Sequence, residues 1–139
     1  MSDLIKAISI ATYAHKNQVD KGGKPYIGHP LRIMKHMATD AARIVAVLHD
    51  VIEDSDYSLD DLVAVGFSEE IVQAVEVLTR QKGESYKNYL RRIQTNPIAI
   101  TVKLADLQDN MDLTRLPTIT EKDIERQKKY SRSSRYIKK

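Results

Sequence analysis

The feature that most constrains this chain is an apolar run that ends directly in charged residues. Ile44-Val-Ala-Val-Leu48 has no polar interruption, and His49-Asp50-Val-Ile-Glu53-Asp54 follows it with four titratable side chains. A helix that is apolar on all sides belongs in the interior of a fold. The chain must therefore place one histidine and three carboxyl groups at the end of its most buried helix.

Helical signals recur along the sequence and predict an all-α fold. Apolar residues repeat at helical spacing, and no stretch alternates like a strand that a hairpin turn bounds. We expect a compact bundle of about seven to eight helices, with a Gly- and Pro-rich loop at residues 21–29. The expected helices span residues 2–18, 30–38, 39–53, 58–66, 68–80, 85–94 and 97–111, and a last one begins at Thr120.

The composition limits the classes of function open to the chain. A length of 139 residues is usual for one domain, so we expect residues 1–139 to form a single domain. The absence of cysteine excludes disulfides and thiolate ligands, and it favours a cytoplasmic location. No apolar run approaches the roughly 20 residues of a membrane span, so no membrane partner is expected.

The carboxy-terminal segment, residues 122–139, contains many more basic than acidic residues. It could attract phosphate groups, or it could be an ordinary solvated helix. Nucleic acid is not an expected partner, because the segment has no recognition motif and the chain has one Phe and no Trp for stacking on bases. The sequence leaves the oligomeric state open, including a homo-oligomer.

The charged end of the apolar run suggests a metal site. On a continuous helix His49 and Glu53 are four residues apart, as are Asp50 and Asp54, so all four side chains would share one stripe. Three carboxylates so close repel one another and are costly to bury unless a cation neutralises them. A divalent metal meets that need. The alternative is that Glu53 and Asp54 lie in solvent and His49 makes an ordinary core hydrogen bond.

Two other segments offer further ligands. His29 ends the Gly- and Pro-rich loop, although a histidine in such a position is more often a surface or capping residue. Asp106 and Asn110 share one face of a helix inside an apolar segment, where a carboxylate requires a counter-charge. Two histidines and two aspartates suit Mn, Fe, Zn or Mg, so the residue types do not select the metal.

The order and spacing of these residues resemble a known family. His29, then His49-Asp50, then Asp106 resembles the signature of the HD-domain metal-dependent phosphohydrolases. Lys24-Pro-Tyr-Ile-Gly-His29-Pro, Leu48-His-Asp-Val-Ile-Glu-Asp54 and Val102-Lys-Leu-Ala-Asp106 resemble the hydrolase half of Rel/SpoT alarmone enzymes and the stand-alone small alarmone hydrolases. The resemblance runs over residues 14–130.

This resemblance implies an HD-type helical fold and a specific reaction. It implies that His29, His49, Asp50 and Asp106 ligate one metal, usually Mn²⁺, and that Glu53 and Asp54 orient and activate the attacking water. The implied reaction removes the 3′-pyrophosphate of guanosine tetra- or pentaphosphate and leaves GDP or GTP. The residues implied to contact the nucleotide substrate are Lys21, Lys24, Lys103, Asn110 and Tyr130.

Some of these assignments have alternatives. Lys103 could extend to solvent and Tyr130 could be a packing residue, while His15 and His36 are expected to be structural or exposed. Asp20 stands where many Rel/SpoT hydrolase domains have an arginine, which leaves the recognition of the base open. The alternative functions are therefore hydrolysis of another nucleotide, such as an adenosine polyphosphate, and a non-catalytic nucleotide sensor.

Overall fold

The computed structural model describes residues 2–139, and the regular structure in this range is helical. Its strand-like contact is an isolated bridge between Val19 and Pro25. The predicted all-α class is confirmed. The nine helices within residues 2–139 are α1 (Asp3–Ala14), α2 (Gly28–Lys35), α3 (Asp40–Leu48), α4 (Val51–Asp54), α5 (Leu59–Val65), α6 (Glu69–Leu78), α7 (Tyr86–Ile93), α8 (Pro97–Met111) and α9 (Glu121–Lys138).

Polar side chains begin most of these helices, as the sequence predicts. Each such residue accepts a hydrogen bond from a backbone N–H in the first turn, which otherwise has no partner. Thr120 and Asp123 also form a reciprocal pair at the start of α9. The residues that cap helices in this way are Ser2, Thr39, Ser58, Ser68, Ser85, Asn96 and Thr120.

Two predicted boundaries are wrong near the first loop. α1 ends at Ala14 rather than at residue 18, and Gln18 instead donates a hydrogen bond to the Asp54 carbonyl across the fold at 2.8 Å. α2 begins at Gly28, so Pro30 is its third residue rather than its first. Proline is tolerated there because the first turn of a helix leaves its N–H groups unpaired.

The predicted third helix is broken where the charged residues begin. α3 ends at Leu48, Asp50 has φ −105° and ψ −2°, and α4 starts at Val51. The predicted single stripe of four side chains is therefore wrong. Consecutive residues of a regular helix point about 100° apart, whereas this break lets His49 and Asp50 face the same point. Glu53 and Asp54 are exposed on the following turn.

The centre of the core is α3, which contains the uninterrupted apolar run from Ile44 to Leu48. Val45, Ala46, Val47 and Leu48 are fully buried. α3 packs against α1, α2, α6 and α8, and α8 also packs against α2. This packing brings the end of α3, the start of α2 and the middle of α8 to one place. None of the helices within residues 2–139 is both long and apolar enough to cross a membrane.

Truncation of a core valine should test this packing. Val47 in α3 is fully buried, whereas Val63 in α5 is 58% exposed. We expect Val47→Ala to lower the free energy of unfolding by about 1–3 kcal/mol, because it removes two buried methyl groups and leaves a cavity. Urea denaturation followed by circular dichroism measures the change.

The matched control for this change is Val63→Ala, the same truncation on an exposed helix face. It should change stability by less than about 0.5 kcal/mol. Equal losses for the two variants would show that α3 is not the centre of the core.

Candidate metal centre

Four side chains from three parts of the chain converge at the end of α3. His29 comes from the first turn of α2, His49 and Asp50 from the break between α3 and α4, and Asp106 from α8. One potential ligand atom from each residue lies within 4.8 Å of the other three. The structure therefore brings together all four residues that the sequence suggests as metal ligands.

His49 has one ring nitrogen occupied and the other facing this cluster. Its Nδ1 lies 2.6 Å from the Ala46 carbonyl, which can only accept, so Nδ1 carries the proton. Its Nε2 lies 3.0 Å from Asp50 Oδ2 and 3.4 Å from Asp106 Oδ1, and it is buried without a hydrogen-bond partner among residues 2–139. A metal ligand needs this arrangement, in which a fixed N–H leaves the second nitrogen free to coordinate.

His29 lies between two carboxylates of α8. Its Nε2 is 2.8 Å from Asp106 Oδ1, and its Nδ1 is 2.6 Å from Asp109 Oδ2. Asp109 is absent from the residues that the sequence suggests, although it lies one helical turn after Asp106 on the same face of α8. Its distance of 80 residues from His29 in sequence explains why local spacing gives no indication of the contact.

The charges of the cluster favour a bound cation. Burial raises the pKa of Asp106, but Lys103 and the two histidines outweigh burial and hold the pKa well below its usual value. Burial lowers the pKa of His49, but Asp50 and Asp106 outweigh it and raise the pKa. The carboxylates are therefore ionised at neutral pH and attract positive charge to the point they share.

Asp50 is held by a tyrosine that the sequence analysis did not assign. The Tyr26 hydroxyl donates a hydrogen bond to Asp50 Oδ2 at 2.5 Å. Burial, followed by the nearby charge of Asp50, raises the pKa of Tyr26, so the phenol stays protonated as a donor. The residue belongs to the Lys24-Pro-Tyr motif, which is the signal that could have identified it.

The geometry of the four ligand atoms fits a divalent metal. Ligand atoms that each stand about 2.0–2.2 Å from one ion lie within about 4.4 Å of each other. The 4.8 Å spread here is close to that limit, so small side-chain movements suffice to bring all four into one coordination sphere. Imidazole nitrogen and carboxylate oxygen are ligands for several divalent ions, and the set does not select one.

Glu53 and Asp54 border the cluster instead of joining it. Glu53 Oε1 accepts a hydrogen bond from the backbone N–H of Arg80. Burial, and then the neighbouring charge of Asp50, raise the pKa of Asp54. An exposed carboxylate beside a metal cluster can accept a proton from water.

A cavity of about 340 Å³ opens beside His29, between the loop at residues 19–22, α8, the loop after α8, and α9. Three of the suggested substrate contacts, Lys21, Asn110 and Tyr130, line it. Lys24 does not line it and is exposed. Lys103 does not line it either, because its ammonium group is buried 2.9 Å from Asp106 Oδ2. The alternative in which Lys103 extends to solvent is therefore wrong.

Several charged residues of the cavity were not identified from the sequence. Each of the three arginines that line the cavity forms an ion pair with an aspartate, so the charges of the arginines are largely compensated. The aspartates lie in α8, directly after the end of α8, and in α9. The pairs are Arg32 with Asp109, Arg115 with Asp112, and Arg126 with Asp123.

Asp20, the departure from the Rel/SpoT pattern, also lines the cavity. Its Oδ1 accepts hydrogen bonds from the backbone N–H groups of Gly22 and Lys24, both at 2.9 Å. Asp20 therefore closes the loop that forms one wall of the cavity. Of the other two histidines, His15 is buried and bonds Gln18, and His36 is exposed.

Some relatives of the chain are much longer proteins. No protein-family model matches the chain. It is 29% identical over 128 residues to the probable GTP pyrophosphokinase of Mycobacterium leprae, a match that covers 83% of the chain and 16% of that relative. It is 32% identical over 123 residues to the probable guanosine-3′,5′-bis(diphosphate) 3′-pyrophosphohydrolase of Synechocystis sp., with 78% and 16% covered. The chain thus spans a small part of these relatives.

Other relatives are close to the chain in length. A solved structure of a metazoan SpoT ortholog, described as hydrolysing ppGpp, has a TM-score of 0.79 over 99% of this chain and 85% of that one. At 22% identity this likeness shows the fold alone. The guanosine-3′,5′-bis(diphosphate) 3′-pyrophosphohydrolase MESH1 of Homo sapiens is 36% identical over 129 residues, which cover 82% of this chain and 71% of MESH1. The chain therefore belongs to the family of guanosine-3′,5′-bis(diphosphate) 3′-pyrophosphohydrolases.

Proposed function

We propose that this chain hydrolyses the 3′-pyrophosphate of guanosine tetra- and pentaphosphate, releasing pyrophosphate and leaving GDP or GTP. The observation that carries the proposal is the convergence of His29, His49, Asp50 and Asp106 within 4.8 Å beside a cavity of about 340 Å³. The names of its relatives supply the substrate class. We further propose that residues 1–139 act as a single phosphohydrolase domain.

The proposed cofactor is a divalent ion, Mn²⁺, held by His29, His49, Asp50 and Asp106. The fit rests on the buried, unpartnered Nε2 of His49 and on the ionised carboxylates around it. Such an ion polarises a phosphoryl oxygen and makes water more acidic. Tyr26 and Lys103 hold Asp50 and Asp106 in place by hydrogen bonds to their carboxylates.

Glu53 and Asp54 are the proposed acid–base residues. Because the backbone N–H of Arg80 fixes Glu53, this carboxylate is suited to orient the attacking water. Because burial and Asp50 raise the pKa of Asp54, its carboxylate is a stronger base than an ordinary aspartate and accepts the proton.

The cavity is the proposed nucleotide site. Lys21, Asn110 and Tyr130 line it, which supports their assignment as substrate contacts. Lys103 acts on the site through Asp106, to which it is bonded, and Lys24 acts through the loop that its backbone N–H closes with Asp20.

The first test removes the two proposed acid–base carboxylates. Glu53→Gln combined with Asp54→Asn should lower turnover of ppGpp about 10²- to 10⁴-fold, because positioned acid–base groups contribute that much. Bound Mn²⁺ should stay at the wild-type level, because neither side chain belongs to the four-residue cluster. Pyrophosphate release and elemental analysis measure the two quantities.

The control is Glu69→Gln combined with Glu70→Gln, an exposed acidic pair in the first turn of α6. It should turn over ppGpp at the wild-type rate. Unchanged turnover in the Glu53 and Asp54 variant would remove the proposed role of that pair.

The second test removes the metal. Chelation followed by dialysis should abolish pyrophosphate release, because the phosphoryl group then lacks its Lewis acid. Added Mn²⁺ should restore release more fully than Mg²⁺ or Zn²⁺, as measured by initial rates at equal free metal. Full turnover by the chelated protein would contradict a metal-dependent mechanism, and better restoration by another ion would contradict the assignment of Mn²⁺.

A second candidate substrate is an adenosine polyphosphate, which the position of Asp20 allows. Asp20 brings a carboxylate to the cavity where many family members have an arginine. A carboxylate can only accept hydrogen bonds, so it can pair with the exocyclic amino group of adenine or with the N1–H and 2-amino groups of guanine, and the two bases must be compared by experiment.

The third test compares the two bases. We expect release of pyrophosphate from ppGpp and pppGpp at rates above those of their adenosine counterparts, measured as kcat/KM. Asp20→Asn is the matched variant, because an amide oxygen can still accept from Gly22 and Lys24 while the charge is lost. Release from the adenosine compounds with ppGpp left intact would overturn the guanosine proposal. Binding of both without release would instead indicate a nucleotide sensor.

A further inference from the structure

We propose that Asp109 is a positioning residue that fixes the tautomer and orientation of the metal ligand His29. The proposal rests on the metal centre of the proposed function. Asp109 Oδ2 lies 2.6 Å from His29 Nδ1, on the side of the ring opposite the four-residue cluster. The other ring nitrogen, Nε2, faces the cluster at 2.8 Å from Asp106 Oδ1.

The carboxylate of Asp109 determines which nitrogen of His29 keeps a proton. It is fixed by two contacts with Arg32 and faces Nδ1 of His29 at 2.6 Å. Both ring nitrogens of His29 face carboxylates that can only accept hydrogen bonds, Asp106 at Nε2 and Asp109 at Nδ1. When Nε2 coordinates a metal, the carboxylate of Asp109 keeps the remaining ring proton on Nδ1. The lone pair of Nε2 then points at the metal position, and the carboxylate makes it a stronger donor to a metal.

Asp109 is itself held rigidly. Arg32 contacts both of its carboxylate oxygens, with Nε 3.0 Å from Oδ1 and Nη2 3.1 Å from Oδ2. This two-point contact fixes the plane of the carboxylate as well as its position. Arg115 adds a hydrogen bond to the Asp109 carbonyl at 2.9 Å. The Asp109 side chain is 13% exposed, so water offers little competition for these contacts.

The two histidine ligands are therefore oriented by different means. The ring of His49 is fixed by the backbone carbonyl of Ala46, within its own helix. The ring of His29 depends on a side chain from another helix, so a substitution can remove this support without removing a ligand. Asp106 and Asp109 lie one turn apart on α8, so one helix face holds both nitrogens of His29.

The test measures the affinity of the metal-stripped protein for Mn²⁺ alone, without nucleotide. Asp109→Asn should weaken Mn²⁺ binding about 10- to 100-fold, the usual effect of removing such a supporting carboxylate. Calorimetric titration gives the affinity. Proton and nitrogen-15 NMR of the protein loaded with Zn²⁺, a diamagnetic substitute, reports the Nδ1–H of His29, whose strongly hydrogen-bonded downfield signal should be lost in Asp109→Asn.

The matched control is Asp40→Asn, in the first turn of α3. Asp40 pairs with Arg43 at 2.8 Å, as Asp109 pairs with Arg32, but it lies outside the cavity and the four-residue cluster. The control variant should bind Mn²⁺ with wild-type affinity. A loss of Mn²⁺ affinity as large as that of Asp109→Asn would overturn the proposal.

A second variant keeps the test decisive if Asp109→Asn does not fold. Arg32→Gln leaves Asp109 in place but removes the contact that fixes its plane, so it should weaken Mn²⁺ binding in the same direction by a smaller factor. Mn²⁺ affinity within twofold of wild type in every folded variant, with the downfield Nδ1–H signal of His29 retained, would overturn the role of Asp109. Wild-type protein that binds no Mn²⁺ would instead overturn the proposed function.

Discussion

The arrangement of this protein depends on one buried carboxylate, that of Asp106. It lies within 2.8 Å of His29 Nε2, 3.4 Å of His49 Nε2 and 2.9 Å of Lys103 Nζ, and Asn110 donates to it at 3.3 Å. An ion removed from water costs several kcal/mol unless close partners compensate it. Helices α2, α3 and α8 supply those partners together. Their packing is therefore coupled to the site, because moving any one of them leaves a buried charge without its partner.

The break after α3 lets a buried helix present two potential metal ligands at its end. Val45–Leu48 are stable only in apolar surroundings, whereas the polar side chains of His49 and Asp50 must lie close to the carboxylate of Asp106 to form the cluster. A continuous helix would direct these two side chains to different sides. Because the regular helix is interrupted at His49 and Asp50, both face one point while Leu48 and Val51 remain buried on either side of the break. The same break directs Glu53 and Asp54 outward, where water can reach them.

Local features of the sequence predicted much of the fold. Helix starts with Ser, Thr or Asn caps were predicted correctly, because capping involves residues only two or three positions apart. α8 begins and ends at the predicted residues, since Asn96-Pro97 marks its start. The break at Asp50 was missed because helical spacing alone favours continuation. The contact of Asp50 with Tyr26, 24 residues earlier, lies outside that local pattern.

His49, Asp50 and Asp106 could be identified from the sequence because titratable residues stand out beside apolar segments, whereas His29, in a Gly- and Pro-rich loop, was assigned through the resemblance of its motif. Their supporting residues could not. Arg32 and Asp109 occur in segments with ordinary polar composition, and their contact joins positions 77 residues apart. Such a pairing follows from the packing of α2 on α8, which neither segment specifies alone.

The orientations of the two histidine ligands depend on the fold to different degrees. His49 keeps its orientation wherever the last turn of α3 is intact, because its partner is a carbonyl three residues earlier. His29 keeps its orientation only while α2 and α8 are correctly packed and Arg32 holds Asp109 between them. Stability of the α2–α8 contact and affinity for the metal are therefore linked: a ligand that binds only the packed state stabilises that state by mass action. A change that loosens this contact weakens metal binding through His29 first, while His49 stays in place.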